Sequence, residues 1–503
     1  MTAETDSLRT ANAANTRSAI SAKDSRVIWL LLGAAFVVIL NETIMNVAIP
    51  HLMTDLSITA LAAQWLTTAF MLTMAVVIPI TGFLLQRFTT RQAFIGGMTL
   101  FSLGTLTAAL APGFEVLLVG RVIQASGTAI MMPLLMTTIM TLVPIHARGR
   151  MMGRVSVVIS VAPAIGPTLS GVVLETLNWR WLFGIVLPIA VAMLLIGAKW
   201  VTNVGETRRA PIDPLSIVLS AFGFGGIVYG LSQIGGASAH GGDAAAAAAA
   251  STATVSLVIA LLVGLVSLTL FIWRQLRLQR DDQALLDLRV FRSANFSFAM
   301  AQMFILSAAF FGAITILPLY LQRVLLLSPL ETGLIVLPGA LIMGVTGPVI
   351  GRIYDQRGTR ILIVPGAILA SAMLWFFTTV GESTPVWVVV AAQVVLSLGL
   401  AMSFTPLFTA SLGSLEPRFY SYGSAIVGTV QQVAGAAGIA IFITVMSGVS
   451  ASSTAVGLDA VSAEAAGVRS AFVVGAILSL FAVAGSFFVR KPADTGAAAP
   501  IAH

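Results

Sequence analysis

Long apolar runs follow one another along most of this chain and constrain its fold more than any other feature. Each is close to the roughly 20 residues that a helix needs to cross the hydrocarbon core of a bilayer. Inside lipid a backbone must satisfy its own hydrogen bonds, and a helix does so within one segment. The sequence therefore predicts an all-α membrane protein with 14 transmembrane helices. The predicted spans are 27–50, 62–85, 94–111, 114–137, 150–174, 181–202, 213–234, 253–274, 296–321, 330–352, 361–380, 385–410, 420–446 and 469–489.

Composition agrees with a chain that mostly faces lipid. Hydrophobic residues make up 57% of it and charged residues 9%, whereas soluble domains carry about 25% charged residues. Cysteine is absent, which excludes disulfides and thiolate metal sites. The four histidines are scattered, so we expect no metal site.

The basic residues predict the orientation of the chain in the membrane. If the N-terminus is cytoplasmic, 23 of the 27 lysines and arginines fall in the cytoplasmic tails and loops. Only Arg180, Arg323 and Arg469 lie outside, and Arg121 lies within a span. This asymmetry predicts a multi-pass protein of the bacterial cell membrane with both termini in the cytoplasm. It also explains the net charge of +7 without a nucleic-acid partner.

The segments between spans carry fewer signals. The polar residues 1–26 lack a signal-peptide layout and are expected to form a cytoplasmic tail. Residues 235–254 and 447–468 are expected to be flexible external loops. Asp213-Pro214 and the run Ser328-Pro329-Leu330-Glu331 are typical of helix starts, so both acids are interpreted as capping residues rather than ligands.

The energy source is constrained by the lysines. None of the three, Lys23, Lys199 and Lys491, follows a glycine. A phosphate-binding P-loop needs Gly-Lys-Ser/Thr, so the chain is expected to bind no nucleotide. Uphill transport by this chain would then need an ion gradient rather than a cofactor.

Two similar loops indicate an internal repeat. Residues 82–91 and 351–360 both read Gly…Arg…Arg and both follow even-numbered spans. Duplicated halves are how secondary transporters build alternating access. The predicted organisation is a tail (1–26), a six-helix bundle (27–202), two inserted helices (213–274), a cytoplasmic linker (275–295), a second six-helix bundle (296–489) and a tail (490–503).

Further motifs occur in a fixed order along the chain. They are Leu40-Asn41-Glu42-Thr43 with Asn46 in the first span, Gly82, Leu84, Arg87 and Arg91 after the second, Gly120-Arg121 with Gln124 in the fourth, Ala162-Pro163 with Gly166-Pro167 in the fifth, Trp179-Arg180-Trp181 before the sixth, and Leu317-Pro318-Leu319-Tyr320 in the ninth.

With these motifs the chain resembles the 14-helix drug:proton antiporters of the major facilitator superfamily, the EmrB/QacA-like branch of multidrug efflux transporters. The resemblance covers nearly all spans and implies a major facilitator fold with two inserted helices. It also implies conformational roles for Gly82, Arg87, Arg91, Pro163, Gly166, Pro167, Gly351, Asp355 and Arg360.

Two positions depart from the family pattern. The aspartate of the first loop motif is Gln86 here, whereas the second copy keeps Asp355. In the first span the family's aspartate position holds Asn41, and the acid is displaced by one residue to Glu42. Consecutive residues of a helix point about 100° apart, so Glu42 faces a different direction from the family's aspartate. That Glu42 serves as the proton site is therefore a hypothesis.

Glu42 and Arg121 are the only charges near the middle of the predicted spans. Counted from the span ends, both lie about 10–12 Å below the outer boundary. Buried charges usually mark a pathway or a pair. The functional hypothesis is that Glu42 binds and releases protons while Arg121 modulates it, and the alternative is a permanent ion pair that holds two helices together.

Polar residues within spans are candidates for substrate contact. They are Asn41, Asn46, Gln124, Gln302, Gln393, Gln431 and Gln432. Hydrogen bonding between helices explains Asn46 about equally well, and substrate contact is the less favoured interpretation for each glutamine.

These features favour export of small amphipathic or cationic compounds, including drugs, in exchange for protons. A dedicated exporter of one metabolite, lipid or self-made antibiotic remains an alternative, and proton symport is another. An intramembrane enzyme is disfavoured because no nucleophile–base or metal constellation lies at membrane depth. The expected partners are the substrate, protons and the bilayer, and the chain is expected to act as a monomer.

Overall fold

The computed structural model describes residues 21–204, 207, 211, 213–237 and 244–492. The long helices of this part number 14, and each overlaps one predicted span, so the all-α prediction is confirmed. They are α1 (Ala22–Asp55), α2 (Ala60–Arg87), α3 (Thr90–Ala109), α4 (Phe114–Leu142), α5 (Arg148–Thr176), α6 (Arg180–Trp200), α7 (Pro214–Ala237), α8 (Ala244–Leu278), α9 (Ala294–Arg323), α10 (Pro329–Arg357), α11 (Arg360–Phe377), α12 (Val386–Gly413), α13 (Tyr420–Ala455) and α14 (Ala460–Ser486).

Among the described residues, 13 helices are long and apolar enough to cross a membrane. The remaining helix, α3, carries Arg91 and Gln92 in its first turn and several hydroxyl residues beyond them. It nevertheless packs along α4 through glycine. A Cβ on Gly104 would lie 2.3 Å from the backbone nitrogen of Gln124. We therefore place α3 among the bundle helices with the other 13.

Both predicted helix starts are present. Ser328 and Glu331 form a capping box, in which the backbone N–H of Ser328 donates to the Glu331 carboxylate at 2.8 Å. Asp213 accepts a hydrogen bond from Ser216 in the first turn of α7. Asp213 also pairs with Arg274 of α8 at 2.7 Å, which the sequence did not predict.

The two predicted external loops are largely wrong. Helix α8 begins at Ala244, inside the segment 235–254, because an alanine run has the highest helix propensity of any sequence. Helix α13 continues to Ala455 and α14 begins at Ala460, so only residues 456–459 connect them. Asp459 caps α14 by accepting from the N–H of Ser462 at 3.1 Å. Residues 238–243 lie outside the described part of the chain.

The inserted helices lie beside the boundary between the two halves. Helices α7 and α8 pack closely, because a Cβ on Gly226 would lie 2.9 Å from the Ala260 carbonyl oxygen. Helix α7 also packs against α2 and α13. Tyr229 of α7 stacks on Trp65 of α2 with ring centroids 5.8 Å apart.

A small apolar cluster lies where α7 meets both halves. It consists of Ala75 of α2, Val228 of α7 and Ala436 of α13, all buried. Leu231 and Val433 pack at its edge. The contact of α7 with α13 is therefore formed by apolar side chains.

The connection after α8 is anchored by Gln275. Its side-chain oxygen accepts from the N–H groups of Leu285 and Leu286, and its amide donates to Ser216. The connection itself contains two short 3₁₀ turns, Gln279–Asp281 and Leu288–Arg292.

Helices α1–α6 form one half and α9–α14 the other. Across the boundary α5 packs on α10 and α2 packs on α13, with further contacts of α4 on α13 and α5 on α12. The second helix of each half thus meets the fifth of the other, as expected of halves that repeat one another. We call the end of the bundle where α1 begins and α14 ends the termini face.

Candidate functional site

A chain of buried polar side chains joins α1, α3 and α4, and its centre is Arg121, which is 1% exposed. One terminal nitrogen of Arg121 donates to Gln124 at 2.7 Å and to Asn41 at 3.4 Å. The amide of Gln124 donates in turn to the hydroxyl of Thr105 at 2.8 Å. The guanidinium lies over the ring of Phe70 of α2, 4.1 Å from its centroid. We call these five residues together with Glu42 the central cluster.

Glu42 lies next to this network without a hydrogen bond to it. Its carboxylate and Arg121 are near enough for a direct Coulombic interaction. Among side chains that the structure describes, no ion pair within 4.0 Å and no hydrogen bond involves that carboxylate. Arg121 bonds instead to Asn41, the preceding residue. Consecutive residues point about 100° apart on a helix. Asn41 therefore faces Arg121, and the Glu42 carboxylate is left uncommitted, that is, without a hydrogen bond or ion pair to the described side chains.

Helix α5 approaches α1 beside Glu42. A Cβ on Gly166 would lie 2.3 Å from the hydroxyl oxygen of Thr43, so only glycine fits there. The hydroxyl of Ser170 donates to the carbonyl of Ile44 at 3.0 Å. Pro163 and Pro167 both lie within the continuous helix α5. The predicted motif of the fifth span therefore packs directly against the helix that carries the acid.

The other predicted polar candidates are dispersed. Gln302 of α9 donates to the Ala482 carbonyl of α14 at 2.6 Å, which links two helices of one half. Gln431 is half-buried on α13 and Gln393 is buried on α12. The side chain of Asn46 lies outside what the structure describes. Substrate contact by these residues stays a prediction.

The halves are hydrogen-bonded to each other near the termini face. The Asp355 carboxylate of α10 accepts from the N–H groups of Gly149 and Arg150 at 2.7 and 2.9 Å and so caps the start of α5. Further along the same boundary the hydroxyl oxygens of Ser156 and Thr405 are 2.7 Å apart. These bonds hold α5 to α10 and α12.

Four glycines allow α5 and α10 to touch. A Cβ on Gly149 would lie 2.6 Å from the Gly351 carbonyl oxygen, and one on Gly153 would lie 2.2 Å from that of Gly347. Each helix carries its two glycines four residues apart, a spacing that brings helix backbones together in membranes. This signal was present in the sequence and could have predicted the contact.

The equivalent contact between α2 and α13 differs in chemistry. A Cβ on Gly82 would lie 3.1 Å from the ring of Tyr422. The side-chain amide of Gln86 donates to the Arg418 carbonyl at 2.7 Å. An ionised aspartate has no N–H and could not donate that bond. Gln86, which stands where the family has aspartate, therefore places a neutral hydrogen-bond donor at a position the family gives to an anion. Arg87 and Arg91 lie beside this contact at the α2–α3 turn, and Arg360 donates to Phe487 within the other half.

Three kinds of comparison with known proteins agree. A family model described as the Major Facilitator Superfamily matches residues 31–439. The MFS-type transporter YcnB of Bacillus subtilis is 42% identical over 469 residues, which cover 93% of this chain and 95% of that protein. The lincomycin resistance protein LmrB of Listeria monocytogenes is 38% identical, covering 92% and 96%. LmrB of Bacillus subtilis is 39% identical, covering 92% and 95%.

Solved structures match the fold at low sequence identity. The human organic anion transporter MFSD10 aligns with a TM-score of 0.64 at 14% identity and covers 93% of this chain and 99% of its own. The proton:xylose symporter XylE aligns with a TM-score of 0.59 at 13% identity, covering 92% and 97%.

Proposed function

We propose a specific activity for this chain, which belongs to the major facilitator superfamily and is a multi-pass membrane transporter. We propose that it exports small amphipathic or cationic compounds, antibiotics among them, in exchange for protons. Two relatives at 38% and 39% identity carry the name lincomycin resistance protein, which supports an antibiotic as substrate. We propose that the proton gradient supplies the energy, so that no cofactor is needed. We also propose that the chain acts as a monomer, because one chain supplies the whole central cluster.

The observation that carries the proton-coupling proposal is the uncommitted carboxylate of Glu42 beside a fixed cation. A permanent ion pair would direct the guanidinium of Arg121 at Glu42, but its hydrogen bonds go to Asn41 and Gln124. A buried acid without a locked partner can take up and release a proton at low structural cost. In its ionised form it attracts a cationic substrate, so proton and substrate compete for one site.

Alternating access would act through the contacts near the termini face, which we propose is cytoplasmic with both termini inside. All described hydrogen bonds between the halves lie in the parts of the helices nearest that face. Separation of α5 from α10 and of α2 from α13 would open a path from the cytoplasm. Loss of the proton from Glu42 on that side then favours substrate binding.

The test is substrate-driven proton movement in proteoliposomes with an imposed pH gradient. Parent, Glu42→Gln and Glu115→Gln are compared at equal incorporation. Glu115 lies in the first turn of α4, away from the central cluster, and serves as a matched loss of one acid. Lincomycin and a panel of lipophilic cations are added. We expect the parent and Glu115→Gln to move protons and Glu42→Gln to lose at least about tenfold in coupled flux, as for loss of a positioned proton carrier.

Three results would count against the proposal. If Glu42→Gln couples as well as the parent, the proton site lies elsewhere and Glu42 is structural. If no compound moves protons in the parent, a dedicated exporter of one compound becomes the better interpretation. Protons that move together with the substrate rather than against it would indicate symport.

A further inference from the structure

Two adjoining cavities open at the termini face, mostly between helices of the second half and away from the central cluster. The larger, about 690 Å³, lies among the ends of α10 and α12, the starts of α9 and α13 and the start of α5. The smaller, about 660 Å³, is lined by residues 356–360 between α10 and α11. Both are closed on one side by Arg490 and Lys491, which follow α14. Their position at helix ends places them at the depth of lipid headgroups.

The lining of these cavities is strongly basic. Its cations are Arg148, Arg357, Arg360, Arg490 and Lys491. Among the described residues its one acid is Glu416, whose carboxylate pairs with Arg418 at 2.7 Å. Asp355 approaches Lys491 nearby, but both of its carboxylate oxygens accept from the start of α5. The cavities therefore have a large excess of positive charge.

Three of these cations, Arg148, Arg360 and Lys491, donate described hydrogen bonds, and each bond goes to a backbone carbonyl oxygen. Arg148 donates to the carbonyls of Met140 and Val143. Lys491 donates to the carbonyl of Asp355 at 2.9 Å. Within the described chain, none of the five lining cations forms an ion pair with a carboxylate within 4.0 Å. Carbonyl oxygens orient a cation but leave its charge available to an anion.

An unpartnered hydroxyl points to a ligand independently of the charges. Thr359, at the turn between α10 and α11, is 2% exposed and lines the smaller cavity. Its hydroxyl oxygen has no hydrogen-bond partner among the described residues. Buried polar groups are nearly always satisfied, and an exception calls for an explanation. The hydroxyl oxygen itself is buried, so an acceptor bound in the cavity would supply the missing partner once the side chain turns toward it.

We propose that this basic pocket binds a phosphate ester, held by Arg490, Lys491 and neighbouring arginines and by the hydroxyl of Thr359. Arginine and lysine are the usual ligands of phosphate, through charge-assisted hydrogen bonds. Basic pockets between transmembrane helices bind the headgroups of anionic lipids, and the headgroup depth of this pocket fits that source. A soluble phosphorylated compound would offer the same chemistry. The site does not depend on the proposed export activity.

The test measures ligand-induced thermal stabilisation of the full-length, delipidated protein in detergent micelles. Phosphatidylglycerol is titrated as a mole fraction of the micelle, against phosphatidylcholine with the same acyl chains and against inorganic phosphate. We expect the parent to bind phosphatidylglycerol at least about tenfold more tightly than phosphatidylcholine. Two charge-assisted hydrogen bonds account for at least that factor.

Two variants and a matched control separate the pocket from general attraction. Arg490→Gln/Lys491→Gln should lose the preference for phosphatidylglycerol. The control Arg280→Gln/Arg292→Gln removes two exposed basic residues outside the pocket and should keep it. Thr359→Val should bind about threefold to tenfold more weakly. Without lipid it should be as stable as the parent, because its hydroxyl has no bond to lose.

The outcomes are distinct. If both double variants lose the preference for phosphatidylglycerol to the same extent, the proposed binding site is wrong. Binding would then reflect the overall positive charge of the termini face. Equal binding of the two lipids, with no effect of phosphate, would overturn it as well. Stabilisation by inorganic phosphate that disappears in Arg490→Gln/Lys491→Gln would support the phosphate site and assign it to a soluble ligand instead of a lipid.

Discussion

The guanidinium of Arg121 has five N–H donors, and the structure gives it few partners. One terminal nitrogen serves both Gln124 and Asn41, while Nε has no hydrogen-bond partner among the described residues. The face of the group rests on Phe70. An amide at position 41 orients this cation without cancelling its charge. Glu42, one position further, therefore experiences a cation that no other carboxylate in the described part of the chain has neutralised.

This arrangement predicts opposite effects of two substitutions at one position. Asn41→Asp should raise the free energy of unfolding by about 1–2 kcal/mol, because a carboxylate replaces an amide at the hydrogen bond to a buried cation. Asn41→Leu should lower it by about 1–3 kcal/mol, because Arg121 loses an acceptor. Denaturant unfolding in micelles measures both. Equal changes of the same sign would show that Asn41 does not hold Arg121.

At the scale of helices, the contact of α5 with α10 is the closest approach between the halves. Glycines 149 and 153 lie against glycines 351 and 347, so backbone meets backbone. The carboxylate of Asp355 caps α5 at the end of the same contact. The contact of α2 with α13 uses an amide and a carbonyl at the equivalent place. The two contacts are therefore unequal, and the acid-capped one should be the stronger.

A side chain at Gly153 should force these helices apart. The chain has no cysteine, so a Ser156→Cys/Thr405→Cys pair introduces its only two thiols, at positions whose hydroxyls are 2.7 Å apart. We expect efficient disulfide formation in this background and at least about fivefold less with Gly153→Val, because a Cβ at 153 meets backbone at a distance no packing tolerates. Mass spectrometry after oxidation measures the cross-linked fraction.

Gly171→Val provides the control for that experiment. It adds the same side chain to the same helix, where nothing lies within 4 Å. It should leave the cross-linked fraction unchanged. If Gly153→Val also leaves it unchanged, the contact of α5 with α10 does not hold the termini face closed.

The helices of this fold follow from the sequence, and their mutual contacts do not. Lipid imposes helical hydrogen bonding on every long apolar run, so the number and order of helices were predictable. The start at Ala244 was not, because alanine favours helix without being strongly apolar. The end at Ala455 was not, because the segment before it is rich in serine, which usually favours caps and turns. The partner of Gln86 is the carbonyl of Arg418, 332 residues away. Only the folded backbone identifies such a partner.

The central cluster was predictable in part. Glu42 and Arg121 stand out because they are charges within apolar runs, and both lie in the cluster. Phe70 and Thr105 carry no such signal, since an aromatic ring and a hydroxyl are common in membrane helices. Their contribution depends on how α2 and α3 pack on α4.

For the whole molecule, a polar network at the termini face fastens the two inserted helices to each other and to the connection that follows α8. The hydrogen bonds from Arg274 lower the pKa of Asp213 below its usual range. Gln275 extends the network to Ser216 and to the backbone of the following connection. The same hydrogen bonds therefore hold α7 to α8 and hold the connection that leads into the second half.

This network predicts a stability that depends on pH. Because the pKa of Asp213 is lowered in the folded state, its contribution is complete above the ordinary aspartate value, about 3.9, and is lost as pH falls through the lowered value. Asp213→Asn should cost about 1 kcal/mol of unfolding free energy at pH 7, the range of a partly exposed pair. The cost should shrink progressively as pH falls below the ordinary aspartate value and through the lowered pKa of Asp213. Unfolding of parent and variant is measured from pH 7 downward.

The exposed Asp281→Asn, in the 3₁₀ turn after α8, is the charge-matched comparison for this measurement. It should change the unfolding free energy little at any pH. A cost of Asp213→Asn that does not diminish however far the pH is lowered while the protein stays folded would mean that the ion pair with Arg274 is not its cause.

The stacking of Tyr229 on Trp65 has a mechanical consequence. Helix α7 touches both halves. In the proposed rocking of the halves against each other, it can keep its full contact with only one of them. The stacked rings fasten it to α2, whereas its contact with α13 involves small apolar side chains such as Val228 and Ala436. Sliding should therefore occur between α7 and α13. The two inserted helices should move together with the first half and shield the boundary between the halves from lipid.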